Sequence, residues 1–359
     1  MVQSMQATGL RIVLATLIAW PLCLRAQPAG ECTQIADDAQ RLACYDRLFR
    51  AAPPAAAAAL PAAAPSAPAA VADRAALRIA EPALPVSRMT SKLWELTAAE
   101  KRGTFVVRTY RPNFVLPAHY TSHINRAPSS PTHEAGEPNA NYRPLEAKLQ
   151  VSLRAKVVEG LLLPDADLWF AYTQRSMWQV WNPQDSSPFR STDYEPEAIY
   201  VVPVPQPLGT LPGDWRWRMV QTGIAHQSNG QSDPLSRSWN RAFAGAAFDR
   251  GEFGLTVRVN RRFKEKDDDD NPDLTRYIGD TEFSASWLPG QSTAALTWRT
   301  RLRNLGRGSV QLDWTYPVDS DQPHGLRWYL QLFNGYGETL LDYNVRQRSI
   351  GLGVTLFQL

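Results

Sequence analysis

An all-β chain, closed into a twelve-stranded antiparallel barrel that crosses a membrane, is what three features of the sequence predict. Segments of about ten residues alternate apolar and polar side chains, the pattern of strands with one apolar face. The polar face carries Arg, Lys, Gln and Asp along many of these segments, which suits a solvated or hydrogen-bonded lumen behind a lipid-facing wall. The N-terminus reads as an export signal, and an exported chain with 12 Trp and 12 Tyr has rings to place near lipid headgroups.

Taken in chain order, Arg11 supplies the positive charge of a signal peptide and residues 12–24 its apolar run, too short to span a bilayer as a helix. Leu24-Arg25-Ala26 offers a cut after Ala26, and bulky Leu22 before Cys23 argues against lipoprotein processing. The mature chain would then keep Cys32 and Cys44, an even pair that suggests a disulfide in an oxidising compartment, two free thiols being the alternative. The intervening IADDAQRLA has helical character, with its acidic residues early. Residues 27–50 thus form a small segment expected in the periplasm. Residues 51–92, dominated at first by Ala and Pro, read as a linker, and 93–359 as the barrel.

Within the barrel the alternation is plain in LQVSLRAKV at 149–157, LTVRVN at 255–260, VQLDWTY at 310–316 and IGLGVTL at 350–356, and largely kept in AALTWRTRL at 294–302. Turns rich in Gly, Asn, Asp and Pro separate about twelve such segments, the even number that membrane barrels usually need. Closure is what makes the reading physical, since an unpaired strand edge does not survive in hydrocarbon. The charge balance, 38 Lys and Arg against 35 Asp and Glu, gives no argument for nucleic acid, and a mean hydropathy of −0.34 excludes a bundle of transmembrane helices.

The stretch HQSNGQSDPLSRSWN at 226–240 can carry chemistry. Before it, Trp215 and Trp217 share one strand face, and strict alternation would put His226 on the opposite, arginine face. Met219 and Val220 are adjacent apolars, and a bulge there would turn Val220, Thr222, Ile224, His226 and Ser228 outward. The turn NGQSDP then returns the chain so that Asn240 can lie across from His226. A serine hydroxyl needs a base to accept its proton, histidine is suited to that role, and a third polar group fixes the imidazole. Asparagine orients but brings no charge to offset the imidazolium. Ordinary turn use of His, Ser and Asn is the competing reading of the same spacing.

Several blocks in order resemble the outer-membrane phospholipase A family: YTQRSMWQVWN at 172–182, SSPFRSTDYEP at 186–196, HQSNGQSDPLSRSWNR at 226–241, DDNPDLTRYIG at 269–279 and FNGYGETLLDYN at 333–344. The resemblance covers residues 93–359. It implies a twelve-stranded barrel in the outer membrane that hydrolyses acyl esters of phospholipids and lysophospholipids, with A1 and A2 activity. By the same resemblance Ser228 is the nucleophile, His226 the base and then the acid, Asn240 the orienter, and the Gly230 amide an oxyanion donor. The family uses calcium at a homodimer interface. The matching positions are Gln231 through its carbonyl, Ser236 through its hydroxyl, Ser186 from the partner subunit, and Asp270 as a further ligand. The family often has Arg where this chain has Gln231, a change a backbone ligand tolerates. Gln174 matches a dimer-interface glutamine, and an amide on a lipid-facing strand is costly unless paired. Dimerisation would complete the calcium site and so restrict activity to perturbed membranes.

Two other readings follow from the same residues. A barrel with polar inward side chains could serve as a passive pore, and the acidic run at 267–270 could be only a solvated loop. The N-terminal segment, outside the resemblance, could bind periplasmic components. His119, His123, His133 and His324 read as structural or exposed, with no metal spacing.

Overall fold

The computed structural model describes residues 35–37, 39–42, 86–135, 138–186, 189–265 and 269–356. The predicted signal peptide, Cys32, Cys44 and the Ala/Pro-rich stretch through 85 lie outside the described residues. The chain divides into two units, Met1–Leu77 and Arg78–Leu359. In the first, residues 39–42 are helical, and the Asp37 carboxylate accepts the Gln40 amide at 3.0 Å. That is an N-terminal cap, as the early acidic residues predict.

The second unit is a closed antiparallel barrel of twelve strands. They are β2 (Asn113–Thr121), β3 (Leu145–Val158), β4 (Asp167–Trp178), β5 (Phe189–Pro203), β6 (Arg216–Ser228), β7 (Ser238–Arg250), β8 (Phe253–Arg262), β9 (Thr281–Trp287), β10 (Thr293–Arg301), β11 (Asn304–Pro317), β12 (Leu326–Gly335) and β13 (Gln347–Leu356). Each pairs with its neighbours in sequence, and β13 closes on β2 from Ser349↔Thr121 to Leu356↔Asn113. A short β1 (Val107–Thr109) runs along the same edge of β3 as β2, so the first strand of the barrel is interrupted between Thr109 and Asn113.

The alternation decides which face is which. On β3, Glu146, Lys148, Gln150, Ser152, Arg154 and Lys156 are all buried, Lys148 and Lys156 at 1% exposure, whereas outward Val151 is 51% exposed. The polar face therefore points into the lumen and the apolar face outward, the inverse of a soluble core. Charges in such a lumen persist only when paired. Arg111 bridges Glu195 at 3.0 Å and Glu197 at 2.9 Å, Arg258 holds the other oxygen of Glu197 at 2.5 Å, and Arg241 joins Glu195. Lys148 meets Glu338 at 2.7 Å, and His119 meets the same carboxylate at 2.9 Å. These contacts fill the barrel, leaving a cavity of about 70 Å³ among Arg175, Arg241, Arg299 and Glu282.

Both ends are covered from within. Helix α1 (Val86–Trp94), which begins inside the stretch read as linker, brings Trp94 edge-on to Tyr110 at 6.0 Å and Trp169 at 5.7 Å. The Arg154 guanidinium lies 4.0 Å from the Trp94 ring centre, a cation–π contact that seats the helix beneath the charged layer. Leu96, Ile199, Met219 and Phe243 complete this apolar floor. A four-residue helix α2 (Gln206–Gly209) sits in the β5–β6 connection. At the opposite end, helix α3 (Leu274–Ile278) and the β12–β13 loop pack Leu274, Leu340 and Tyr343 against Trp239.

Outward aromatic rings mark the limits of the apolar band. Trp217 stacks on Phe248 at 6.1 Å, Phe253 on Trp287 at 6.0 Å and Trp314 on Tyr316 at 6.2 Å near the short-turn end, and Trp178 meets Phe189 at 5.7 Å near the long-loop end. Membrane barrels keep most short turns on the periplasmic side, so the β2–β3, β4–β5, β6–β7, β8–β9, β10–β11 and β12–β13 connections, which share the other end, are the outer ones.

Candidate active site

The outer end of the β6–β7 hairpin carries His226, Ser228 and Asn240. Their direction depends on one irregularity. The β6–β7 register shifts between Trp217 and Met219, so Arg218 is accommodated as an extra residue. Arg218 then reaches inward to Asp249 at 2.9 Å, and Met219 is buried beside it. Val220, Thr222, Ile224, His226 and Ser228 are thereby set on the outward face, as the adjacent apolars Met219 and Val220 predict. Ile224 is 58% exposed there.

His226 and Asn240 are direct cross-strand partners, and His226 Nδ1 lies 2.8 Å from Asn240 Oδ1. An amide oxygen only accepts, so Nδ1 is the protonated nitrogen and Nε2 keeps its lone pair. Ser228 is two residues farther along the same face, opposite Ser238 on one side and Tyr194 on the other. Its hydroxyl makes no hydrogen bond to His226 in this structure. Such a contact commonly tightens only with substrate bound.

Behind this outward row the hairpin is locked from inside. Gln227 Oε1 accepts the Trp239 indole at 3.0 Å, and the Arg241 guanidinium lies 4.2 Å from the Trp239 ring centre. On the next strand Pro196 falls across from His226 and offers no ladder N–H. Pro196, Ala198, Ile224 and Phe263 line a mostly apolar cavity of about 260 Å³ that opens beside His226 and Asn240. An aliphatic chain has room there.

The loop after Ser228 is shaped by buried polar groups. Asn229 Oδ1 accepts the Arg237 amide at 2.9 Å, and its Nδ2 donates to the Leu235 carbonyl at 2.7 Å. Arg237, buried, donates to the carbonyls of Pro234 at 2.9 Å and Ser236 at 2.6 Å. Burial pushes its guanidinium below the ordinary value. Gly230 has φ +63°, and a Cβ there would stand 2.9 Å from the Tyr194 ring. Only glycine takes that turn without strain.

The same loop brings oxygen donors together. Ser236 Oγ donates to Asp270 at 2.5 Å, and Asp233, Asp270 and His133 have ligand atoms within 4.8 Å of one another. His133 Nε2 is 3.0 Å from Asp270 and 3.6 Å from Asp233. The Ser236 hydroxyl and the two carboxylates are hard donors of the kind calcium takes and fit that ion, with Gln231 just before Asp233 on the same loop and His133 as a partner of Asp270. Ser236 and Asp270 are thus neighbours, as predicted. His133, read from sequence as structural or exposed, joins them through the β2–β3 loop, and Asp233 was not singled out. No fixed spacing could have found a cluster drawn from three loops. Asp270 is fixed through its neighbour: Arg262 grips the Asp269 carboxylate at 2.6 Å and the Asn271 carbonyl at 2.6 Å. Nearby, Tyr343 donates to Asp273 at 2.5 Å. Burial first and then that carboxylate raise its phenol, which stays a donor.

Ser186 is in the β4–β5 loop, where its carbonyl accepts the Trp178 indole at 2.6 Å, and no hydrogen bond links it to Gln231, Ser236 or Asp270 within the chain. Gln174 faces outward from β4. Its Oε1 accepts Tyr172 Oη at 3.0 Å and its Nε2 donates to Ser176 Oγ at 3.4 Å, so the amide is partnered on the lipid side of a single chain.

The model of the phospholipase A1 family matches residues 90–356. The chain is 34% identical to the phospholipase A1 of Salmonella typhimurium, over 72% of this chain and 83% of that one. Its fold matches the outer membrane phospholipase A of Escherichia coli with a TM-score of 0.61 at 32% identity, covering 70% of this chain and 98% of the other. It also matches a Salmonella typhi outer membrane phospholipase dimer with bound calcium, with a TM-score of 0.62 at 31% identity over 74% and 96% of the two chains.

Proposed function

Since the chain belongs to the phospholipase A1 family, as an outer-membrane barrel that hydrolyses phospholipid, we propose that it does so as a calcium-dependent serine hydrolase using Ser228, His226 and Asn240. The observation that carries this reading is the 2.8 Å contact from His226 Nδ1 to Asn240 Oδ1 on the outward face of the barrel. It leaves Nε2 as the base and puts that base on the outer wall, beside an apolar cavity with room for an acyl chain.

Ser228 Oγ attacks the ester carbonyl carbon as His226 Nε2 takes its proton. The carbonyl oxygen becomes an oxyanion, and the Gly230 amide donates to it. His226 then returns the proton to the departing alkoxide of the lysophospholipid. Water, deprotonated by His226, attacks the acyl-Ser228 ester, and the fatty acid leaves. The same steps serve either acyl position and a lysophospholipid, so A2 activity needs no further group.

Gln231, Ser236, Asp233 and Asp270 would hold calcium, with Ser186 contributed by a second copy of the chain. Bound there, the ion supplies positive charge beside the developing oxyanion. The Salmonella typhi relative is a dimer with calcium. The apolar cavity beside His226, closed on its open side by a second barrel, makes the dimer the active form. We also read residues 27–50 as a periplasmic segment joined to the barrel by the Ala/Pro-rich linker.

The test is fatty-acid release from phospholipid in mixed micelles, with calcium or with chelator. Chelation will lower kcat by about 10²-fold or more, the scale of losing one oxyanion contributor. Equal release in both conditions by a folded dimer would sink calcium dependence. Gln174→Ala removes the outward amide, and the dimer will dissociate about threefold more readily, the size of one polar contact in lipid. Crosslinking yield against protein-to-detergent ratio reads it, and an unchanged yield would place the interface elsewhere.

A further inference from the structure

Asparagine in the orienter position leaves the imidazolium of the transition state without a counter-charge, and the loop after β8 brings one. Phe263 donates its amide to the Asn240 carbonyl at 2.8 Å, which folds the chain over Asn240. Two residues on, Glu265 Oε1 accepts both Asn240 Nδ2 at 2.7 Å and the Asn240 backbone amide at 3.0 Å. The Glu265 side chain is 17% exposed, and Arg262 lies 3.6 Å from its other oxygen.

The polarity of this chain of contacts runs one way. An ionised carboxylate only accepts, so it takes the NH₂ end of the Asn240 amide. That forces Oδ1 toward His226, so Nδ1 must donate and Nε2 must be the base. The carboxylate also polarises the amide. Hydrogen bonds in series strengthen one another, and more so at a wall facing hydrocarbon. We propose that Glu265 is a positioning residue of the catalytic centre, acting through Asn240 to fix the tautomer of His226 and to supply the negative charge that Asn240 lacks. This rests on the Ser228–His226–Asn240 reading above.

The test exchanges the two groups. Glu265→Gln keeps the shape and removes the charge, and kcat will fall about ten- to hundredfold, as for other outer partners of an oriented histidine. KM will hold, since Glu265 does not touch substrate. Asn240→Asp puts two carboxylates face to face and will also lower kcat. The double variant N240D/E265Q restores one carboxylate and one amide in reversed order, and its kcat will exceed the product of the two single effects by about tenfold or more, a coupling of the size shown by residues that share a hydrogen bond. A merely structural role for Glu265 predicts no such rescue.

All variants are compared at saturating calcium, with folding checked by thermal unfolding in detergent. A folded Glu265→Gln protein with unchanged kcat, or a double variant no better than the product of the singles, overturns the proposal. Ser228→Ala is run alongside. Full activity there would instead remove the reading on which the proposal rests.

Discussion

Ser228→Ala will lower fatty-acid release by about 10⁴-fold or more while the barrel stays folded and dimeric, the loss typical when a serine nucleophile is removed from a triad. The hydroxyl is half-buried on the outer wall, opposite Tyr194 and Ser238, and no hydrogen bond depends on it. The substitution therefore removes reactivity without leaving a partner stranded. Thermal unfolding in detergent should match the parent chain, and KM should hold, since the apolar cavity and the Gly230 amide are untouched. Retention of more than a small fraction of kcat would assign the nucleophile elsewhere.

Glu338→Ala will act on stability, costing about 3–5 kcal/mol, the range for breaking a buried ion pair by removing one partner. Glu338 turns down from the β12–β13 loop into the lumen, and Lys148, 1% exposed, points at it from β3. The same carboxylate takes Ser349 Oγ at 2.8 Å and meets His119 at 2.9 Å. Without it the Lys148 ammonium keeps only Gln331, at 2.6 Å, in place of a counter-ion. Thermal unfolding in detergent reads the loss. The double variant with Lys148→Met should recover most of it, because a buried charge no longer stands alone. A Glu338→Ala barrel as stable as the parent would mean that the lumen admits water there.

The barrel was legible because its period is two and its two faces differ in chemistry. Leu149, Val151, Leu153 and Val157 against Gln150, Ser152, Arg154 and Lys156 specify both a strand and the direction each side chain takes. Even the re-aimed strand at His226 could be read, since adjacent Met219 and Val220 break the alternation, and the structure shifts register between Trp217 and Met219. The cross-strand meeting of His226 and Asn240 follows from the hairpin. What could not be read depends on long-range folding of loops. His133 reaches Asp270 across 137 residues, and nothing periodic links them. Glu265 sits in KEKDDDD, where a charge run reads as solvated. Its partner Asn240 is 25 positions away, and only the folded loop joins them. Helix α1 was obscured by the Ala/Pro-rich stretch it follows, although Trp94 beneath Arg154 is what holds it in the lumen.

The outward direction of His226 has a kinetic consequence. A site on the barrel wall meets its substrate by diffusion within a plane, so the quantity that saturates it is the mole fraction of phospholipid in the surface, not its bulk concentration. Diluting a fixed number of micelles with buffer should leave the rate per enzyme unchanged, whereas diluting phospholipid with inert detergent inside each micelle should lower it. By the same reasoning, a competitive inhibitor gains potency by partitioning into the bilayer as much as by fitting the cavity beside Ile224 and Phe263.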